Sequence, residues 1–427
     1  MFTRIVYSLV FYCVTPFILL RLCWRSIREP AYRATPLQRF GLVAKNNAVV
    51  SETVSVEKAP IWVHAVSAGE SIAAVPLIKR FINAGHRVIV TSMTPTGRER
   101  INSLLGDQVE HYYAPYDLPG AVNRFLVRAR PLALVIIDTE LWPNTIHYTA
   151  LMNVPIYLVN GRLSEKSARG YQRISFLSKP MVEKLTRVFA QTQKQGQRFR
   201  DIGVSENQLS VSGSIKFDIT LPDDMAARLA ELQHKFVGRR VFLAASTHEG
   251  EESEVLHAYK IIQADSSNLL IIAPRHPHRA DRVHEVCQSM GFNVIRHSQN
   301  LPCTIETSVY LLDTMGELTY FYGVAEIAFV GGSLVDVGGH NPMEPANLGT
   351  PILMGEYRRN IDDIADQFVS AGAMQIVSNA GQMADLWQTL LADDLLRQKM
   401  STAAKQVMTE NKGSLDRIEK EILQELE

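Results

Sequence analysis

From about residue 60 the chain repeats one pattern: a short apolar run, a glycine-bearing or polar turn, then a helical stretch. The first series of runs covers 61–66, 87–92, 132–137, 156–159 and 188–190. A second series covers 241–245, 269–273, 293–296, 309–312, 327–330 and 352–354. Strands that alternate with helices specify a parallel sheet, because each crossover helix returns the chain to the same end of the sheet. The helical stretch 72–84 ends at Gly85, a C-cap signal. With 427 residues the chain is too long for one core. The fold class is therefore α/β, with two doubly wound domains in tandem and a cleft expected between them. Residues 29–220 form the first domain and 221–427 the second. The stretch 221–238, rich in charge and alanine, reads as a helical linker, and the amphipathic helix from about Leu395 packs back on either domain.

The stretch from Phe329 to Ala346, F-V-G-G-S-L-V-D-V-G-G-H-N-P-M-E-P-A, carries the densest signal. An apolar run ends in one glycine pair, a second pair follows, and H-N-P-M-E comes next. Glycine lets backbone approach a ligand closely, and open α/β sheets bind ligands beyond the carboxyl ends of their strands. Asn341 suits the cap of the following helix and Pro342 its first position. The N–H groups of that helix would then offer an anion site. Glu344 and Met343 lie in its first turn, where a carboxylate suits ribose hydroxyls better than phosphate. The bland alternative is an ordinary strand-turn-helix connection.

Lys+Arg and Asp+Glu both total 44, so no basic excess points to nucleic acid. Four cysteines without a C-x-x-C pair give no zinc site and no disulfide framework, which fits a reducing compartment. Residues 5–20 carry no charge, and Arg21, Arg25 and Arg28 follow them. The run is short for a span and lacks a small-residue cleavage site. A membrane anchor over residues 1–28, spanning or monotopic, is preferred to a signal peptide or a core helix. The arginines place the body on the cytoplasmic side.

Other strand ends carry candidate chemistry. V-S-A-G-E places Glu70 at a helix start, where the dipole favours the ionised form a general base needs; a plain capping glutamate explains it equally. Glu140 of D-T-E-L-W-P-N follows a very apolar run, with an ion pair to Arg162 as the structural alternative. Lys216 of G-S-I-K-F-D is either a cleft lysine or a solvated one. In the second series, Pro274-Arg275 offers a phosphate fork, and Met315, Gly316 and Glu317 offer a frame for a base or ribose. The chain has no Walker A motif, no G-x-S-x-G, no H-E-x-x-H and no D-x-D. The missing acidic pair favours a metal-free leaving group met by Arg, Lys and helix N-termini.

Taken in order, V-S-A-G-E, M-T-P-T-G, P-Y-D-L-P, T-E-L-W-P-N, N-G-R-L-S, G-S-I-K-F-D, S-T-H-E-G-E-E, P-R-H-P, D-T-M-G-E-L, F-V-G-G-S-L and G-G-H-N-P-x-E closely resemble the bacterial 3-deoxy-D-manno-octulosonic acid (Kdo) transferases. The resemblance covers almost the whole length; Ala68 and Met343 depart slightly from it. It implies the two-Rossmann-domain glycosyltransferase architecture called GT-B, on the cytoplasmic face of the inner membrane. It further implies transfer of Kdo from CMP-Kdo to a tetraacylated lipid A precursor (lipid IVA), by an inverting displacement without metal or cofactor. Carried across, the proton acceptor falls on Glu70 and transition-state stabilisers on Glu140 and Lys216. CMP contacts fall on Pro274, Arg275, Met315, Gly316, Glu317, Asn341, Pro342, Met343 and Glu344. Competing readings are a GT-B enzyme using a UDP-sugar and a non-catalytic nucleotide-sugar-binding scaffold.

Overall fold

The computed structural model describes residues 2–33, 35–44, 59–263, 265 and 267–426. The chain divides into two units: Met1–Asp218 with Lys412–Glu427, and Ile219–Asn411. Each holds one seven-stranded sheet, parallel throughout.

The first sheet contains β1 (Ile61–His64), β2 (Val88–Ser92), β3 (Glu110–Tyr113), β4 (Ala133–Ile137), β5 (Ile156–Gly161), β6 (Arg187–Ala190) and β7 (Leu209–Val211). Their order is β3-β2-β1-β4-β5-β6-β7. Strand order reverses between β1 and β4, which pair directly, His64 facing Ile136. The central strands are largely apolar because helices cover both faces, and β4 is apolar on every residue. In β4, Leu134 and Ile136 enter one core, while Ala133, Val135 and Ile137 enter the other.

The second sheet contains β8 (Arg240–Thr247), β9 (Asn268–Pro274), β10 (Val294–Arg296), β11 (Val309–Leu311), β12 (Ile327–Val330), β13 (Ile352–Met354) and β14 (Met374–Ile376). Their order is β10-β11-β9-β8-β12-β13-β14, reversing between β8 and β12. Both reversals make a crevice at the carboxyl ends of two adjacent strands.

Three strands escaped the sequence pattern: β3, β7 and β14. All are edge strands, short and partly exposed, so burial imposes no continuous apolar run on them. The stretch read as a linker contains the helix Met225–Lys235, which buries Leu232 in the second unit's core.

The C-terminal end differs from the sequence assignment to the second domain. The helix that begins at Asp394 ends at Asn411, Gly413 turns with φ +84°, and a new helix, Ser414–Leu426, belongs to the first unit. Its Leu415, Ile418 and Ile422 stand on one face and join the core beneath α2 (Ala68–Asn83). Arg80 of α2 reaches Asp416 and Glu419 at 2.5 and 2.7 Å. Asp218 accepts from the Gly413 and Leu415 N–H groups at 2.7 and 2.6 Å, so it caps this returning helix.

Ile418→Ala should cost about 2–5 kcal/mol, the usual penalty for truncating a fully buried isoleucine. Urea denaturation checks it; a midpoint unchanged from the parent would show that the returning helix contributes nothing to the first unit.

Candidate active site

In the first unit the crevice at the reversal of strand order is acidic. Ser67 caps α2 in extended conformation and accepts from the Glu70 N–H. Glu70 answers: one carboxylate oxygen accepts from the Ser67 hydroxyl at 2.7 Å and the other from the Val66 N–H at 2.7 Å. This is a reciprocal capping arrangement, so the structural alternative for Glu70 is realised. It holds the carboxylate at the end of β1 in a single orientation. The helix terminus does not decide its proton affinity, however. Burial raises the Glu70 pKa, and the negative charges of Glu140 and Asp138 add to the rise against the two hydrogen bonds.

Glu140 follows β4, next to β1. Its Oε2 accepts from the Trp142 indole N–H at 2.8 Å, and burial raises its pKa too. The Trp142 ring stands edge-on to His64, with centroids 4.6 Å apart. His64 is fully buried and pushed down to about 3, so it is a neutral support. Among the described residues Glu140 makes no ion pair with Arg162; Thr139 instead bonds the Arg162 carbonyl and N–H.

Lys216 sits on the single turn Ile215–Phe217. That turn is fixed by Asn160 at the end of β5, whose side-chain oxygen accepts from Ser214 Oγ at 3.0 Å and from the Ile215 N–H at 3.3 Å. The Asn160 amide also donates to Asp138. Asp138 and Asn160 both adopt positive φ, 56° and 62°, an uncommon conformation for residues with a side chain. One buried asparagine therefore joins the Asp138 turn to the Lys216 turn.

The second unit's crevice is built from the ends of β8, β9, β11 and β12. Glu251, at the start of the helix Glu251–Ile262, is completely buried. Its Oε2 accepts from the N–H groups of His248 and Gly332 at 2.8 and 2.7 Å. Its Oε1 accepts from those of Ser333 and Leu334, both at 2.9 Å. The N–H groups of the first glycine turn therefore point at an internal carboxylate rather than at a ligand. Gly331 leaves no space for a side chain: a Cβ would lie 2.7 Å from the Ser246 carbonyl and 2.9 Å from Glu251. The second glycine pair folds back, with the Gly338 and Gly339 N–H groups on the Gly332 carbonyl.

This folding sets His340 against His248, Nε2 to Nε2 at 2.8 Å, so one ring donates and the other accepts. His340 is pushed down to about 4 by burial and by the positive charge of Arg275. Arg275, whose N–H bonds the Thr247 carbonyl at 3.0 Å, also acts electrostatically on Glu344. The short helix Met343–Leu348 starts one residue later than the sequence suggests, with Pro342 at the cap position. Asn341 still serves it, accepting from the Met343 N–H at 3.0 Å and donating to Glu344 at 3.3 Å. Burial raises the Glu344 pKa, opposed by Asn341 and Arg275.

Pro274 closes β9. Met315 is exposed and Gly316 takes φ +87°. Glu317 is engaged by Arg228 at 2.7 Å, His297 at 2.9 Å and the Thr314 hydroxyl. Burial works against its charge, but these partners hold Glu317 below the usual carboxylate range. Pro274, Arg275, Met315 to Glu317 and Asn341 to Glu344 thus all lie at carboxyl ends of one sheet. Glu251 and Asn160 were not singled out by sequence as site residues. The three glutamates of H-E-G-E-E look alike in sequence; Glu251 and Glu252 are both buried, and only the closed turn shows that Glu251 takes its N–H groups.

Residues 35–219 match the family model described as 3-deoxy-D-manno-octulosonic-acid transferase (kdotransferase). A 3-deoxy-D-manno-octulosonic acid transferase of Haemophilus influenzae is 34% identical over 420 residues, covering 97% of this chain and 97% of its own length. Its counterpart from Bordetella pertussis is 36% identical over 357 residues, covering 81% and 83%. Among solved structures, a glycosyltransferase from Rickettsia africae has a TM-score of 0.55 at 13% identity, over 86% of this chain and 98% of its own. That likeness concerns the fold alone.

Glu251→Gln turns an amide N–H₂ toward N–H donors. We expect a loss of about 1.5–3 kcal/mol for each donor deprived of its charged acceptor. Chemical denaturation measures the effect; a parent midpoint would remove Glu251 from its framing role.

Proposed function

We infer the reaction from one premise: the chain belongs to the 3-deoxy-D-manno-octulosonic acid transferase family. It is a glycosyltransferase of GT-B architecture that transfers Kdo in lipopolysaccharide synthesis. The donor in this proposal is CMP-Kdo and the acceptor the tetraacylated lipid A precursor, lipid IVA. The place of action is the cytoplasmic face of the inner membrane, with residues 1–28 as the anchor.

The observation that carries the mechanism is the pair of carboxylates, Glu70 after β1 and Glu140 after β4, in one crevice. In the proposed step an acceptor hydroxyl oxygen attacks the anomeric carbon of Kdo from the face opposite the leaving group. The bond from that carbon to the CMP phosphate oxygen breaks, and its electron pair leaves with CMP. Glu70 takes the hydroxyl proton; its raised pKa makes it a stronger base than an ordinary carboxylate. Glu140 stabilises positive charge developing on the sugar, and Lys216 is assigned to the same transition state.

The second unit is assigned the donor. Arg275 meets the CMP phosphate, and Pro274, Met315, Gly316, Glu317, Asn341, Pro342, Met343 and Glu344 frame the nucleotide. A monophosphate leaving group needs less charge neutralisation than a diphosphate, and a fixed guanidinium supplies it without recruiting an ion. No cofactor enters this scheme.

Purified protein supplied with CMP-Kdo and lipid IVA should release CMP and form a Kdo-bearing lipid detectable by mass spectrometry. Glu70→Gln should lower the rate by ~10²–10⁴-fold with CMP affinity nearly unchanged. In the parent enzyme the rate should fall as pH drops through the raised Glu70 pKa, and this acid limb should vanish with Glu70→Gln. Near-normal turnover by that variant sinks the assignment.

Arg275→Ala should weaken CMP binding by about 1.5–3 kcal/mol, while turnover should survive EDTA. A rate that collapses in chelator and returns with magnesium would overturn the metal-free scheme.

A further inference from the structure

Helix α1 (Phe2–Arg28) has two unlike faces, and the difference bears on how it meets a membrane. Arg4, Tyr7, Ser8, Phe11, Thr15, Ile18, Leu19, Leu22 and Ser26 recur at helical spacing and are all shielded. Ser8, Thr15 and Ser26 are its buried residues. The stripe runs from Arg4 to Ser26, roughly 33 Å at 1.5 Å per residue.

Along that length the first unit meets it with polar groups. Arg4 and Ser8 donate to the Asn144 side chain at 2.8 and 3.1 Å. The Tyr7 hydroxyl donates to Asp117 at 3.0 Å. Asp117 is buried and also accepts from the Asn144 and Thr145 N–H groups, so the contact is fixed to the start of the helix Pro143–Leu151. Further on, Phe11, Ile18 and Leu19 pack with Phe40, Met93, Tyr116 and Leu118. At the far end Arg33 donates to Ser26 at 3.0 Å, and Arg25 stacks over Tyr32.

The opposite face is Val6, Leu9, Val10, Cys13, Phe17, Leu20, Trp24 and Ile27, all exposed and none charged. A helix crossing a bilayer needs about 30 Å of hydrocarbon around it. Here that length is matched against Asp117, Asn144 and Arg33, which a crossing would draw into lipid at high cost. A helix lying in the interface buries its apolar face and leaves the docked face undisturbed.

We propose that α1 is a monotopic element, docked flat on the first unit, with its apolar face in an anionic bilayer surface and both chain ends on one side. The proposal rests on the membrane reading given above. Exposed Arg21 and Arg25 flank the apolar face and suit anionic headgroups.

The placement has a catalytic consequence. Asn144, Tyr116 and Met93 all follow carboxyl ends of first-sheet strands, so α1 lies on the edge that carries Glu70. The Met93 N–H bonds the Val66 carbonyl at 2.9 Å, and the Val66 N–H bonds Glu70. An acceptor whose acyl chains stay in the bilayer would present its sugar hydroxyl near that edge.

The test uses the full chain with an epitope appended at each end. In cells, protease should reach neither epitope in spheroplasts and both in inverted inner-membrane vesicles. Flotation with phosphatidylglycerol–phosphatidylethanolamine vesicles should show binding, reduced at least tenfold by Phe17→Glu with Leu20→Glu, while turnover of detergent-dispersed acceptor stays at the parent rate. An N-terminal epitope cleaved in spheroplasts overturns the flat placement and leaves membrane association standing. Undiminished flotation of the double variant overturns the assignment of the apolar face. Parent protein that fails to float defeats the membrane reading itself.

Discussion

One buried carboxylate organises the second unit's turns. Four N–H dipoles that converge on one point repel one another unless an anion sits among them, and Glu251 is that anion. It joins the end of β8 to the end of β12, the two strands at the reversal of sheet order. Ser333 completes the frame by donating to the Val330 carbonyl and accepting from the Gly355 N–H at the end of β13. With the N–H groups of this turn satisfied internally, the proposed nucleotide site relies on side chains: Arg275, the imidazoles and Glu344.

The first unit solves the same problem with neutral and acidic groups. Asn160 holds its two turns, and Asp117 holds the start of the helix that follows Glu140. The carboxylates Glu70, Asp138 and Glu140 are therefore clustered by a scaffold that does not neutralise them; burial, and after it the charges of Glu140 and Asp138, raise the affinity of Glu70 for a proton.

Sequence made the central strands legible because burial on both faces leaves runs such as A-L-V-I-I with no polar interruption. It made the strand-end motifs legible because glycine and proline mark turns. The edge strands were not legible, since E-H-Y-Y and L-S-V meet no such demand. At Glu70 the local pattern falls short: helix-end electrostatics acts within one turn, whereas burial and the Asp138 and Glu140 charges come from the tertiary fold. Asn160 and Glu251 owe their roles to partners 54 and 82 residues away, at Ser214 and Ser333, which no local pattern announces. The owner of residues 412–427 was equally hidden, because an amphipathic helix fits any apolar face of matching width.

That returning helix sets an order of events during synthesis. The second unit is one continuous segment, Ile219–Asn411, whereas the first is interrupted and lacks part of its core until Ser414–Leu426 has been made. Domains fold as units while the chain emerges, so the segment emerging later can complete itself earlier. Until then Ile61, Val63 and Phe81 lack the cover of Leu415, Ile418 and Ile422. The nascent first unit is thus the part that chaperones would meet with apolar surface still open, and the Asp218 cap records the moment of its closure.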